Sequence, residues 1–219
     1  MPTPRAGYHL ADGSKVPGVT TILGRWKESG GLLQWAFKVG ASGARSLYEE
    51  RDKAGDIGTL AHAMVDNRLR GLDPEAALKD APEDFRPKAR TAYHTFVQWQ
   101  ESQRAEIIPA EFPMVSEAHR FGGTPDFVMR LSDGRLALGD LKTSNGIYRD
   151  MLMQVAAYAI LWNETQPEKI TGGFHIARFA KEFPDFEHRY FEDLTEAGEL
   201  FLLLRRAYEM DLTLKKRAA

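Results

Sequence analysis

The chain has 219 residues, 43% of them hydrophobic and 27% charged, with a formal net charge of −2 and no cysteine. That length supports one domain with a sizeable core, and the lack of cysteine excludes disulfides, thiolate zinc sites, iron–sulfur clusters and cysteine nucleophiles. A chain so close to neutral does not coat nucleic acid by bulk charge, although its 29 Lys and Arg are enough to line a local groove. Any metal must be held by oxygen or imidazole, a donor set that favours Mg²⁺ or Mn²⁺ over zinc. The opening MPTPRAGYHL lacks the apolar core of a secretory signal, and the apolar runs are too short to cross a bilayer. The expected location is therefore cytoplasmic. With no linker, composition shift or internal repeat, residues 1–219 are expected to form a single domain.

In chain order, residues 8–23 read as short extended pieces broken by Asp12-Gly13 and Pro17-Gly18. Residues 32–48 and 57–69 carry helical spacing, the second with Ile57, Leu60, Ala61, Met64, Val65 and Leu69 on one stripe. A longer helix is predicted over about 82–104, where Ala89, Ala92, Tyr93, Phe96, Val97 and Trp99 supply the apolar side. Residues 107–116, 121–131 and 135–142 are rich in strand formers and punctuated by turn residues. Helical periodicity returns over 148–162, strands are predicted at 170–179 and 186–191, and a closing helix over about 194–212. The pattern is α/β, with helices around a central mixed sheet.

The stretch richest in chemistry is Gly122-Gly123-Thr124-Pro125-Asp126, followed by Gly139-Asp140-Leu141-Lys142. Between them Ser132-Asp133-Gly134 carries the signal of a three-residue hairpin loop, a type I turn closed by a left-handed glycine. If that is the loop, Leu131 pairs with Arg135, and counting back along both strands sets Asp126 opposite Asp140. Directly opposed residues share a face with Cβ atoms roughly 5 Å apart, and the strand period puts Lys142 on the face of Asp140. A two-residue loop would instead pair Asp126 with Leu141 and separate the carboxylates. Two carboxylates side by side repel and resist leaving water, so the pair is costly unless a cation joins it. Mg²⁺ is commonly held by one or two carboxylates plus waters and phosphate oxygens. A solvent-exposed strand end with an ordinary Asp–Lys pair is the plain alternative.

Further elements accompany the hairpin. Gly58-Thr59-Leu60-Ala61-His62 offers an imidazole on a helix, and Gln154 and Tyr158 lie four residues apart on one helical face. With these in order, the chain resembles the PD-(D/E)XK nuclease superfamily in its RecB-like branch, which includes phage recombination exonucleases. The matching motifs are G-T-L-A-H ending at His62, G-G-T-P-D ending at Asp126, G-D-L-K ending at Lys142 and Q-V-A-A-Y from Gln154 to Tyr158. The opening V-P-G-V-T-T-I-L also looks like that of phage-type members. The four cysteines that some relatives use for an iron–sulfur cluster are absent here, which points to cluster-free members.

The resemblance implies a restriction-endonuclease-like core, a central mixed β-sheet flanked by helices, with the catalytic part over about 54–192. It implies that Asp126, Asp140 and the carbonyl of Leu141 ligate Mg²⁺, with Mn²⁺ substituting, and that His62 approaches the metal. Lys142 would orient or activate the attacking water, and Gln154 and Tyr158 would brace the helix and touch the substrate backbone. The implied activity is a DNA exonuclease of phage-type recombination or repair, in a bacterial or phage-infected cell, with a single-strand annealing or other recombination protein as its kind of partner. A structure-specific endonuclease and a non-catalytic DNA-binding subunit with a vestigial site are the alternatives. Several residues keep open readings: His62 as a buried structural histidine, Gln154 as an exposed helix residue, Tyr158 as a core aromatic. Glu111 is a further acid or an exposed strand residue. Gly122 and Gly123 either admit a nucleic-acid backbone or form a bulge. Trp26 and Trp35 stack unpaired bases or pack in the core. His119, His175 and His188 are expected at solvated strand positions, and Lys215-Lys216-Arg217 at a solvated helix end.

Overall fold

A computed structural model of the chain describes residues 6–27, 36–37, 40–41, 47–110, 112–144, 146–179 and 186–218. In chain order its elements begin with β1 (Tyr8–His9), β2 (Lys15–Val16), α1 (Val19–Arg25), α2 (Leu47–Leu69), a 3₁₀ turn (Pro74–Leu78) and α3 (Arg86–Ser102). There follow β3 (Glu106–Pro109), β4 (Met114–Ser116), β5 (Phe121–Gly123), β6 (Phe127–Arg130) and β7 (Leu136–Lys142). The chain closes with α4 (Arg149–Thr165), β8 (Ile170–Phe179), β9 (Phe186–Phe191) and α5 (Thr195–Ala218).

The central sheet has five strands in the order β3-β6-β7-β8-β9. It is mixed: β7 and β8 run parallel and the other neighbours antiparallel. A parallel pair needs a crossover, and α4 supplies it. Side chains alternate between two faces along each strand. Val128, Leu136, Leu138 and Ile176 point to one face and pack with α4, α1 and Phe201 of α5. Phe127, Met129, Ala137, Leu141, Ala177 and Phe179 point to the other, against Ala61, Met64 and Val65 of α2 and Phe96 and Trp99 of α3. Covered on both faces, β7 reads as a nearly unbroken apolar run. Its charged residues are Asp140 and, at its last position, Lys142.

The sheet flanked by helices matches the expected fold class, and four local expectations need correction. Residues 19–23 are helical rather than extended. Val19, Ile22 and Leu23 are all buried, and their i, i+3, i+4 spacing suits a helix packed on the core; tertiary burial overrides the strand preference of Val-Thr-Thr-Ile. The two long strand expectations each divide. Pro113 and Pro125 cannot donate to a ladder and interrupt the strands beside them, and among the described residues β4 pairs with β5 in a separate two-stranded sheet. The helix expected from 57 begins at Leu47, and most of the one expected over 32–48 lies outside the described residues. Among the described residues, no helix is long and apolar enough to cross a membrane.

Candidate active site

The β6–β7 hairpin has the three-residue loop that its turn chemistry predicts. Leu131 N–H donates to the Arg135 carbonyl at 3.0 Å and Gly134 N–H to the Leu131 carbonyl at 2.9 Å. Gly134 takes φ +86°, where a side chain would be strained. Pairing runs from Arg130↔Leu136 to Phe127↔Gly139, and Asp126 and Asp140 are the residues next to that last pair, as the three-residue loop requires. Asp126 also closes the β3 side, its carbonyl accepting from Ala110 N–H at 3.3 Å. Its carboxylate crosses the hairpin to accept from Leu141 N–H at 2.8 Å.

Around this pair the fold gathers the other candidate residues. Lys142 forms an ion pair with Asp140 Oδ2. From α2, His62 Nδ1 lies 3.7 Å from Asp126 Oδ1. From α4, Gln154 Nε2 donates to the Tyr158 hydroxyl at 2.9 Å, which leaves Tyr158 its own proton to donate. A cavity of about 240 Å³ is lined by His62, Asp126, Leu141, Lys142, Gln154 and Tyr158; Asp140 sits buried beside Lys142. Three further lining residues escaped the sequence reading: Thr20, Thr143 and Ser144. Thr143 and Ser144 directly follow Lys142, a signal that was available. Thr20 arrives on α1, and nothing local to it points to the cavity.

The two carboxylates differ sharply in electrostatics. Burial raises the Asp140 carboxyl to about 6 although Lys142 pulls it down, and Asp126 adds to the rise. Asp126 is buried as well, but His62, Lys142 and the Leu141 N–H outweigh that burial and hold it below the usual carboxylate range. Burial disfavours the Lys142 ammonium, yet Asp140 and Asp126 more than compensate and keep it charged. Burial lowers His62 to about 4 against the pull of Asp126, so its imidazole is neutral at neutral pH. Burial, with the Asp140 charge adding, pushes the Tyr158 phenol well above its usual value, so it stays protonated.

The site carries buried polar atoms short of partners: Asp140 Oδ1 and His62 Nδ1 accept or donate no hydrogen bond, and Asp140 Oδ2 meets only the Lys142 ammonium. Such groups are rare and costly in a folded protein. Among the described residues no three His, Asp or Glu side chains group so as to hold a metal by themselves. The donors at hand are instead two carboxylates, Asp126 and Asp140, and the backbone carbonyl of Leu141, the residue after Asp140. That suits a cation that keeps several of its waters, as Mg²⁺ does, better than zinc, which takes three or four protein ligands. The unpartnered Asp140 Oδ1 fits such an ion.

Other expectations resolve differently. The Tyr8 ring fills the space above Gly122 and the Tyr158 ring that above Gly123; these glycines admit the protein's own aromatics, with Tyr8 anchored by Thr124 Oγ1 at 3.1 Å. His175 is buried rather than solvated, its Nδ1 2.9 Å from Nε2 of the half-buried His188. The α3 helix covers that face, and Trp99 lies against His188 with ring centroids 5.5 Å apart. His119 is exposed, in a turn rather than a strand. Trp26 is exposed at the end of α1, while Trp35 and Glu111 lie outside the described residues. Lys215, Lys216 and Arg217 form the exposed last turn of α5.

No protein-family model matches the chain, and no curated protein matches it. Among solved structures, the chain is similar to a candidate exonuclease from Eubacterium rectale over 69% of its own length and 68% of the other, at 14% identity and a TM-score of 0.47. It is also similar to the protein SSO0001, over 70% of this chain and 72% of that one, at 12% identity and a TM-score of 0.36.

Proposed function

We propose that the chain is a metal-dependent nuclease that hydrolyses DNA phosphodiester bonds, working as an exonuclease in phage-type recombination or DNA repair. The observation that carries this reading is the buried acidic pair at the end of the β6–β7 hairpin: Asp126 bonded to the Leu141 N–H, Asp140 ion-paired with Lys142, and Asp140 Oδ1 left without a hydrogen bond. Asp126, Asp140 and the Leu141 carbonyl are the groups that would hold Mg²⁺ or Mn²⁺, with His62 close by. Bound there, the ion supplies a water of lowered pKa and Lewis-acid polarisation of a phosphoryl oxygen.

The protein's own side chains take the remaining roles. Asp126, held by the Leu141 N–H, presents its other oxygen toward the site in a fixed orientation. Lys142, charged and nearly buried, stabilises negative charge that develops on the phosphate, where a low dielectric strengthens the attraction. Tyr158, kept protonated and positioned by Gln154, donates to a phosphate oxygen of the substrate. Neutral His62 crowds water away from Asp126 without adding a second positive charge. DNA is the proposed partner, in the cytoplasm, with a single-strand annealing or other recombination protein beside it.

The test is digestion of end-labelled linear, nicked and closed circular DNA with Mg²⁺ and with chelator. The expected result is metal-dependent loss of linear substrate and survival of closed single-stranded circles. Cleavage of those circles would replace the exonuclease by an endonuclease. Intact DNA of every form with Mg²⁺ and with Mn²⁺ would overturn the catalytic reading.

A further inference from the structure

We propose that α5 carries the interface of a homodimer, a short parallel coiled coil between two copies of this chain. The helix has a core side, where Gly198, Phe201 and Arg205 are buried. On its opposite side Leu200, Leu203, Met210 and Leu214 are 39%, 64%, 58% and 61% exposed. With half-buried Ala207 these residues fall at i, i+3, i+7, i+10 and i+14, the a/d spacing of two heptads. An apolar stripe of this length left in water marks an interaction surface. Its a/d spacing suits another helix as the occupant, whose side chains can interdigitate with the stripe.

Two features select a second copy in parallel. In a parallel register each seam residue meets its own counterpart, so all five layers stay apolar. An antiparallel register that pairs Leu203 with Leu214 sets Leu200 against Arg217 of the other copy. The flanking positions agree: Arg206 of one copy faces Asp211 of the other at the g-to-e′ spacing, an opposite-charge pair. Asp211 holds Arg25 and, more loosely, Lys215 at 3.7 Å, and its side chain is 30% exposed. Two heptads are too short to fold alone, but here the helix is already ordered by packing on α4 and α1.

The full chain has no cysteine, which allows a clean test. Size-exclusion chromatography with light scattering, over a dilution series, should show a dimer. Leu203→Glu and, separately, Met210→Lys should raise its dissociation constant by about a hundredfold or more, since each removes two buried side chains from one symmetric layer. Because both positions are more than half exposed, the circular dichroism and melting of the variants should stay those of the folded monomer. Under mild oxidation Leu203→Cys alone should cross-link to a covalent dimer. A monomer at every concentration, or a dimer indifferent to both substitutions, overturns the interface. Preferred cross-linking of Leu203→Cys with Leu214→Cys overturns the parallel arrangement. None of these readouts depends on DNA cleavage.

Discussion

Replacing Asp140 with Asn separates stability from catalysis at the most buried acid of the site. The residue is 1% exposed, and its carboxyl is raised from an ordinary 3.8 to about 6, burial being the largest cause. The folded state therefore holds this proton more tightly than the unfolded chain. The stability it contributes is fully present below 3.8 and is lost as pH rises through about 6. Above that pH the ionised group costs the metal-free protein roughly 3 kcal/mol, at about 1.4 kcal/mol for each of about two pH units. Asparagine escapes this cost but leaves Lys142 with Asp126 as its remaining carboxylate, which returns part of the gain. A net stabilisation of about 1–2 kcal/mol is expected near neutral pH, a rise of about 2–8 °C in Tm for a domain of this size. Thermal melts in chelator measure it directly. Mg²⁺ at a hundredfold excess over Kd should then stabilise the wild type by about 2.7 kcal/mol and leave Asp140→Asn unmoved, and the variant should not cleave DNA. A metal-free variant that melts several degrees below wild type, or Mg²⁺ stabilisation equal in both, would refute the idea that Asp140 is a charge awaiting a cation.

Lys142→Met should act with the opposite sign. It strips the cation from two buried acids, so the urea midpoint in chelator should fall by about 3 kcal/mol equivalent. Cleavage should drop at least about a hundredfold while oligonucleotide binding persists; unchanged cleavage would remove Lys142 from the chemistry. Gly139→Ala places a methyl group within the space occupied by the buried Phe127 ring, and overpacking there should cost about 3 kcal/mol with no change in the urea m-value. A loss below about 0.5 kcal/mol would show that the ring yields freely. His175 is lowered to about 4, burial being the larger cause and His188 adding to it. As pH falls below 6.5 the unfolded chain takes up this proton first, so the stability present above 6.5 drains away toward pH 4, by up to about 3 kcal/mol. His175→Phe should flatten that decline, read from urea midpoints at about pH 7.5 and about pH 4.5; equal declines in both proteins would assign the sensitivity elsewhere.

What could be read from the sequence was local. Ser132-Asp133-Gly134 sets a three-residue loop because one position needs a left-handed backbone, and the strand period of two then carries the register down to Asp126 and Asp140. Gln154 and Tyr158 share a face because a helix turns every 3.6 residues. The motif order around His62 marked the imidazole, but its approach to within 3.7 Å of Asp126 required α2 to pack over the end of the sheet. The same holds for Thr20, which enters the cavity only because Val19, Ile22 and Leu23 bury themselves as a helix. Likewise, the prolines that divide the predicted strands decide where pairing stops, but not which partner each half finds. Most of all, Asp126 and Asp140 are the same residue type in similar apolar strands, yet one is held acidic and the other raised to about 6. Turn chemistry and periodicity act over a few residues and are written in the chain. Desolvation and Coulomb interactions depend on what distant segments bring to within a few ångströms, and only the folded structure decides that.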